Sequence, residues 1–153
     1  MADARLTAAK MLLKMEDSEA YSNILLDKAL DEAQLNDRDR ALATALFYGV
    51  TERRLTLDYV IEQNSKLPFE KLDRAAVVIL RMGLYQLLYM SSVPESAAVN
   101  ESVKLCKKLK AFSAQGFVNG MLRSFVRGGK KISYRGLETA DRLTVEYSCP
   151  KWL

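Results

Sequence analysis

The chain contains no histidine. That absence removes histidine general bases, Ser-His-Asp and Cys-His catalysis, HExxH zinc sites and mixed Cys/His metal sites. Cysteine is scarce too: Cys106 and Cys149 lie far apart with no CxxC spacing. This points to a reducing, cytoplasmic setting, to no disulfide framework and to no metal site. Seven glycines and three prolines are too few for a loop-rich sandwich or barrel. Long apolar runs are also missing, since Ala75 to Met90 is interrupted by Arg81 and Gln86 and falls short of the ~18 residues of a membrane-spanning helix. The first residues, Met-Ala-Asp-Ala-Arg, carry no leader pattern, so neither a membrane nor an export route is expected.

What is present is Leu- and Ala-rich, with 49% hydrophobic and 27% charged residues over 153 positions. That composition predicts an all-α globular fold. The net charge of +4 conceals an asymmetry. Residues 1–76 carry 11 Lys/Arg against 14 Asp/Glu, a net −3, and residues 77–153 carry 12 against 5, a net +7. Between Ser102 and Gly136 stand Lys104, Lys107, Lys108, Lys110, Arg123, Arg127, Lys130, Lys131 and Arg135, with no acid among them. A basic stretch of this kind suits a polyanion.

Periodicity places the elements. Leu6, Ala9, Leu12 and Leu13 recur at helical spacing over Asp3 to Glu16, and a second helix covers about Ser22 to Glu32 with Ser22 as its cap. Asp37 is a candidate N-cap for one long helix reaching Ile61, in which Gly49 signals close helix approach. Pro68 predicts the start of the next helix, the apolar one ending near Met90. Ser92 or Val93 caps a further helix opened by Pro94 and running to about Leu109, with Lys104, Lys107 and Lys108 grouped opposite its apolar arc. Ser113 would cap the next, with Phe112 stapled against Phe117, and Gly128-Gly129 would stop it. A last amphipathic segment spans about Gly136 to Glu146. The closing Tyr-Ser-Cys-Pro-Lys-Trp-Leu, with a Trp that needs something to pack against, suggests a chain that continues.

Little conventional chemistry survives inspection. Gly129-Lys130 would need Gly at 124 and Ser/Thr at 131 to be a phosphate loop, and those positions hold Ser124 and Lys131. Cys149 has no histidine to activate it, and Cys106 reads as a small core residue. Asn100 and Asn119 read as buried amides bonded to neighbouring helix ends, and Tyr85, Phe117 and Phe125 as core. The basic residues are the functional signal, and phosphate and shape recognition of RNA is the expected mode.

Three segments carry a family resemblance: Arg81-Met82-Gly83-Leu84-Tyr85-Gln86-Leu87-Leu88, Val93-Pro94 followed by Ala97-Ala98-Val99-Asn100-Glu101-Ser102-Val103, and Gly116-Phe117-Val118-Asn119-Gly120-Met121-Leu122-Arg123. Together they resemble the NusB-like fold, an all-α RNA-binding bundle of about six or seven helices. The C-terminal tail and the second and third segments are most similar to the RsmB (Sun/Fmu) family of 16S rRNA cytosine-5 methyltransferases. The resemblance implies a NusB-like RNA-binding domain at 1–132 and a helical linker at 133–153 leading to a missing methyltransferase domain. It implies 16S rRNA as partner and S-adenosylmethionine as cofactor of the full-length protein, with no cofactor, metal or catalytic residue in this piece. The expected RNA contacts are Arg5, Lys104, Lys107, Lys108, Lys110, Arg123, Arg127, Lys130, Lys131 and Arg135. A stand-alone NusB-type antitermination factor, binding RNA with a ribosomal protein, is the alternative, and a protein-interaction module is a third.

Overall fold

A computed structural model describes residues 3–17, 23–133 and 145–146. These form seven α-helices and two short 3₁₀ turns, in agreement with the all-α expectation. The helices are α1 (Ala4–Asp17), α2 (Asn23–Glu32), α3 (Asp37–Glu52), α4 (Arg54–Asn64), α5 (Arg74–Tyr89), α6 (Glu95–Lys108) and α7 (Gln115–Arg127). Helix α5 is the axis: it touches α1, α3, α4, α6 and α7, and eleven of its sixteen residues are buried. A helix apolar on nearly every side has little solvent face to offer, so its neighbours wrap it along most of its length, leaving Arg74 and Tyr89 exposed at its ends.

Five boundaries differ from the sequence reading. The long helix expected from Asp37 to Ile61 breaks at Arg53, where ψ moves to 14°. Continuous over 37–61 it would run about 38 Å and carry its second half past the core; the break instead lets Leu57, Val60 and Ile61 bury beside α5. Its cap is Asn36, whose side chain accepts from the Asp39 N–H at 2.8 Å, leaving Asp37 and Asp39 in the first turn at the positive end of the dipole. Pro68 leads only into a 3₁₀ turn, and α5 starts after Asp73, whose carboxylate accepts from Ala76 N–H. Pro94 is itself the N-cap of α6. Ser113 lies inside a 3₁₀ turn at 112–114 that runs straight into α7, with no side-chain cap, and Phe112 is 62% exposed and staples nothing. The expected cap at Ser22 and most of the segment Gly136 to Glu146 lie outside the described residues.

The charge that interrupts the apolar run is the central fixture of α5. Arg81 is 5% exposed. Its Nε and Nη2 donate to the two carboxylate oxygens of Asp58 on α4 at 2.6 and 3.1 Å, and Nη1 donates to Glu16 on α1 at 2.5 Å. Arg54 lies 3.7 Å from both acids. Burial pushes the Glu16 carboxyl up, but the Arg81 contact outweighs it and holds the group below its ordinary value. Burial likewise pulls at Arg81, and its two carboxylates more than compensate, raising its pKa.

Gly49 confirms the close approach expected of it: a Cβ there would stand 2.1 Å from the Tyr85 ring. After α7 the chain stops at Gly128 and turns through Gly129 at φ +82°, with Gly129 and Lys130 N–H bonding back to Val126 and Phe125 carbonyls. It then returns to α4, where Tyr59 Oη and Gln63 Nε2 donate to the Ser133 carbonyl at 2.7 and 2.6 Å and Thr56 donates to that of Val145.

Arg81→Met is expected to orphan two carboxylates and cost about 3 kcal/mol in urea unfolding. Because Glu16 is held low in the folded state, its contribution is complete above the ordinary carboxylate range and fades as pH falls through the folded value; the variant's stability should therefore depend less on pH between about 5 and 3. Glycine replacements should split in sign. Gly49→Ala is expected to destabilise by about 2 kcal/mol through the Tyr85 collision, whereas Gly120→Ala, in open space within α7, should stabilise by up to about 1 kcal/mol.

Candidate nucleic-acid interface

Helices α6 and α7 pack side by side and antiparallel, with Glu95 at the start of α6 bonded to Lys130 just past the end of α7. This arrangement divides the expected basic stretch. Lys104, Lys107, Lys108 and Lys110 gather at the C-terminal end of α6, whereas Arg123, Arg127, Lys130 and Lys131 gather at the C-terminal end of α7. Since α6 is about 20 Å long, the cations form two groups rather than one face.

The first group is partly neutralised by Asp3, which the linear sequence places far away, and by Glu101, just before the acid-free stretch. Lys108 pairs with Asp3 on the edge of α1, and Lys104 lies 3.5 Å from Glu101. Burial raises the Asp3 carboxyl, but the bond from Lys108 and the Leu6 N–H outweigh it, so Asp3 is held below its ordinary value and stays charged. Asp39 also lines the groove that holds Asp3, Arg5 and Lys108. Arg5 Nε donates to the side-chain oxygen of buried Gln86 at 2.9 Å, which fixes the arginine against α5 and leaves it half-buried. Lys107 and Lys110 are exposed without an ion pair among the described residues, and Lys110 turns at φ 59°.

The second group is more purely cationic. Only Lys130 has an acidic partner, Glu95 at 3.0 Å, while exposed Arg123, Arg127 and Lys131 have none among the described residues. Two grooves flank α7 here. One, about 590 Å³, lies between α6 and α7 and is lined by Ser96, Val99, Asn119, Gly120, Arg123 and Arg127. The other, about 480 Å³, opens towards the loop after α4 and brings Lys66 and Asn64 beside Arg127. Lys66 escaped the sequence reading because nothing local marks it; only the packing of α4 and its following loop beside α7 adds it to the group. Arg135 lies outside the described residues.

The two asparagines correct the sequence reading. Asn100 is exposed, and half-buried Asn119 accepts from Arg123 Nε at 2.8 Å instead of bonding a neighbouring helix end. Cys106 is a core residue as expected, and burial pushes its thiol up, away from reactivity. Tyr85 and Phe117 pack at the edge of the core and Phe125 within it. Among the described residues no cluster of acids and thiols could hold a metal ion, and no helix is long and apolar enough to cross a membrane.

Comparison with known proteins follows the same lines. The chain is 36% identical over 147 residues to the probable ribosomal RNA small subunit methyltransferase B of Bacillus subtilis, a match covering 95% of this chain and 32% of that protein. It is 37% identical over 153 residues to the corresponding protein of Synechocystis, covering 100% of this chain and 34% of the relative. The transcription antitermination protein NusB of Ruminiclostridium cellulolyticum is 32% identical over 126 residues, covering 82% of this chain and 87% of that protein. The chain thus spans about a third of its methyltransferase relatives but most of the antitermination protein. Residues 2–127, which enclose all seven helices, match the NusB family, and the chain belongs to that family.

Proposed function

We propose that this chain is the RNA-binding N-terminal domain of an S-adenosylmethionine-dependent 16S rRNA cytosine-5 methyltransferase, holding structured rRNA for a following catalytic domain. The observation that carries the reading is the reach of the similarity. Relatives named methyltransferase B match 91–100% of the chain, past the end of α7, whereas those named for antitermination match 81–82%. Residues 133–153 then serve as the linker, and two of its described residues, Ser133 and Val145, accept bonds from α4.

The electrostatics support the binding half. Arginines and lysines at the end of α7 neutralise phosphate charge and release counterions without reading a base edge, which suits recognition of a folded RNA by backbone and shape. The described residues are all helical or loop, and so do not fit a cofactor that a Rossmann-type site holds at a strand-to-helix turn. S-adenosylmethionine belongs, on this reading, to the following domain. The antitermination reading keeps one supporting observation, the 87% coverage of the Ruminiclostridium protein. A reading frame that continues past Leu153 into a nucleotide-binding domain favours the methyltransferase; a stop codon there sinks it.

Binding to a 16S rRNA fragment, followed against salt, tests the interface. Arg123→Ala, Arg127→Ala and Lys131→Ala combined should lower the log-log salt slope by about 2, at roughly 0.7 to 0.9 per lost phosphate contact. Reversing Lys104, Lys107 and Lys108 to Glu should weaken binding as well, and an unchanged slope in both variants would remove the interface. Asp3→Asn frees Lys108 and should tighten binding about two- to fivefold; no change would show that the α6 group does not face the RNA.

A further inference from the structure

The groove between α6 and α7 has more form than phosphate binding requires. Its floor is apolar, supplied by Val99, which is 4% exposed, and by Val126. Its rim is polar. Asn119 accepts from Arg123 Nε, which fixes the guanidinium plane beside the groove and leaves the Asn119 amide NH₂ and the terminal guanidinium nitrogens without partners among the described residues. Ser96 adds a hydroxyl from the first turn of α6. The one acid in the lining, Glu95, is tied to Lys130 at 3.0 Å.

Gly120 completes the groove. A Cβ at this position would meet nothing within 4 Å, so no neighbour in the bundle demands glycine there. Glycine weakens a helix interior relative to alanine. Its effect here is to keep the wall of the groove open.

A volume of about 590 Å³ is in the range of small-ligand sites and far too small for a duplex. In a stacked RNA helix the base faces are covered, and base recognition falls on nucleotides splayed out of loops and bulges. We infer that this groove receives a single unpaired nucleotide of the bound RNA, its base laid on Val99 and Val126, its edge met by Asn119 and Ser96, and its flanking phosphates held by Arg123 and Arg127. The inference rests on the RNA-binding reading above and deepens it, since it gives the domain a preference among RNAs that phosphate contacts alone would not.

The test compares a fully paired RNA hairpin with the same hairpin carrying a one-nucleotide bulge, using the chain itself and Gly120→Leu. Leucine fills the groove and favours helix, and circular dichroism verifies the fold. The wild-type chain should bind the bulged hairpin at least tenfold more tightly. Gly120→Leu should lose that preference yet keep its affinity for the paired hairpin and its salt slope. A 4-thiouridine at the bulge should crosslink to peptides of α6 or α7 in the wild-type chain. Equal binding of both hairpins, a preference that survives Gly120→Leu, or crosslinks elsewhere would overturn the pocket while leaving RNA binding intact. Failure to bind either hairpin would instead overturn the RNA-binding reading and the pocket with it.

Discussion

A guanidinium buried in the middle of an apolar helix constrains this fold more than any hydrocarbon contact. Leucines and valines on α5 gain from burial against almost any apolar neighbour, so they specify that α5 is covered without specifying by what. Arg81 is more demanding. Its planar fork is satisfied only where Asp58 supplies two oxygens from one side and Glu16 a third from another. Those acids come from α4 and α1, so a single residue fixes the angular position of two helices around the axis. A sliding or rotated packing would leave an uncompensated charge inside the protein. The apolar content of α5 brings its neighbours in, and the ionic contact decides how they stand.

The sequence made most of the architecture legible because helices announce themselves locally. The helical segments, with α3 and α4 read as one, the buried status of α5 and Cys106, the tight contact at Gly49 and the stop at Gly128-Gly129 all follow from spacing and residue type within a few positions. What escaped was long-range. Arg81 read as an interruption because its partners stand 23 and 65 positions away. The basic stretch read as acid-free because Asp3, the partner of Lys108, is 105 positions distant. Asn119 read as a buried amide because a wheel projection shows proximity to an apolar face but not whether another helix covers it. The break at Arg53 had no glycine or proline to mark it. It serves the packing of α4 on α5, and Arg53 covers the ring of Tyr89 from the turn, 4.9 Å from its centroid.

Antiparallel packing of α6 and α7 has a functional consequence that a linear charge count misses. Cations that are near neighbours in sequence are carried to opposite ends of a helical hairpin. The two ends differ in kind: one is a mosaic in which Asp3, Asp39 and Glu101 temper the lysines, and the other is a cationic rim around a groove with an apolar floor. A polyanion meeting this surface therefore encounters a directional field. On the proposed RNA-binding reading, the cationic end holds the phosphate backbone, while at the mosaic end each phosphate competes with a carboxylate already in position.

The contact between Gly49 and Tyr85 also reaches beyond packing. The tyrosine ring occupies the volume that any side chain at position 49 would need, so the glycine is defined by its partner rather than by its own backbone. Neither position can change alone without a penalty, and a smaller residue at 85 removes the reason for glycine at 49. Across divergent relatives the two sites are then expected to behave as one evolutionary character, drifting jointly or not at all.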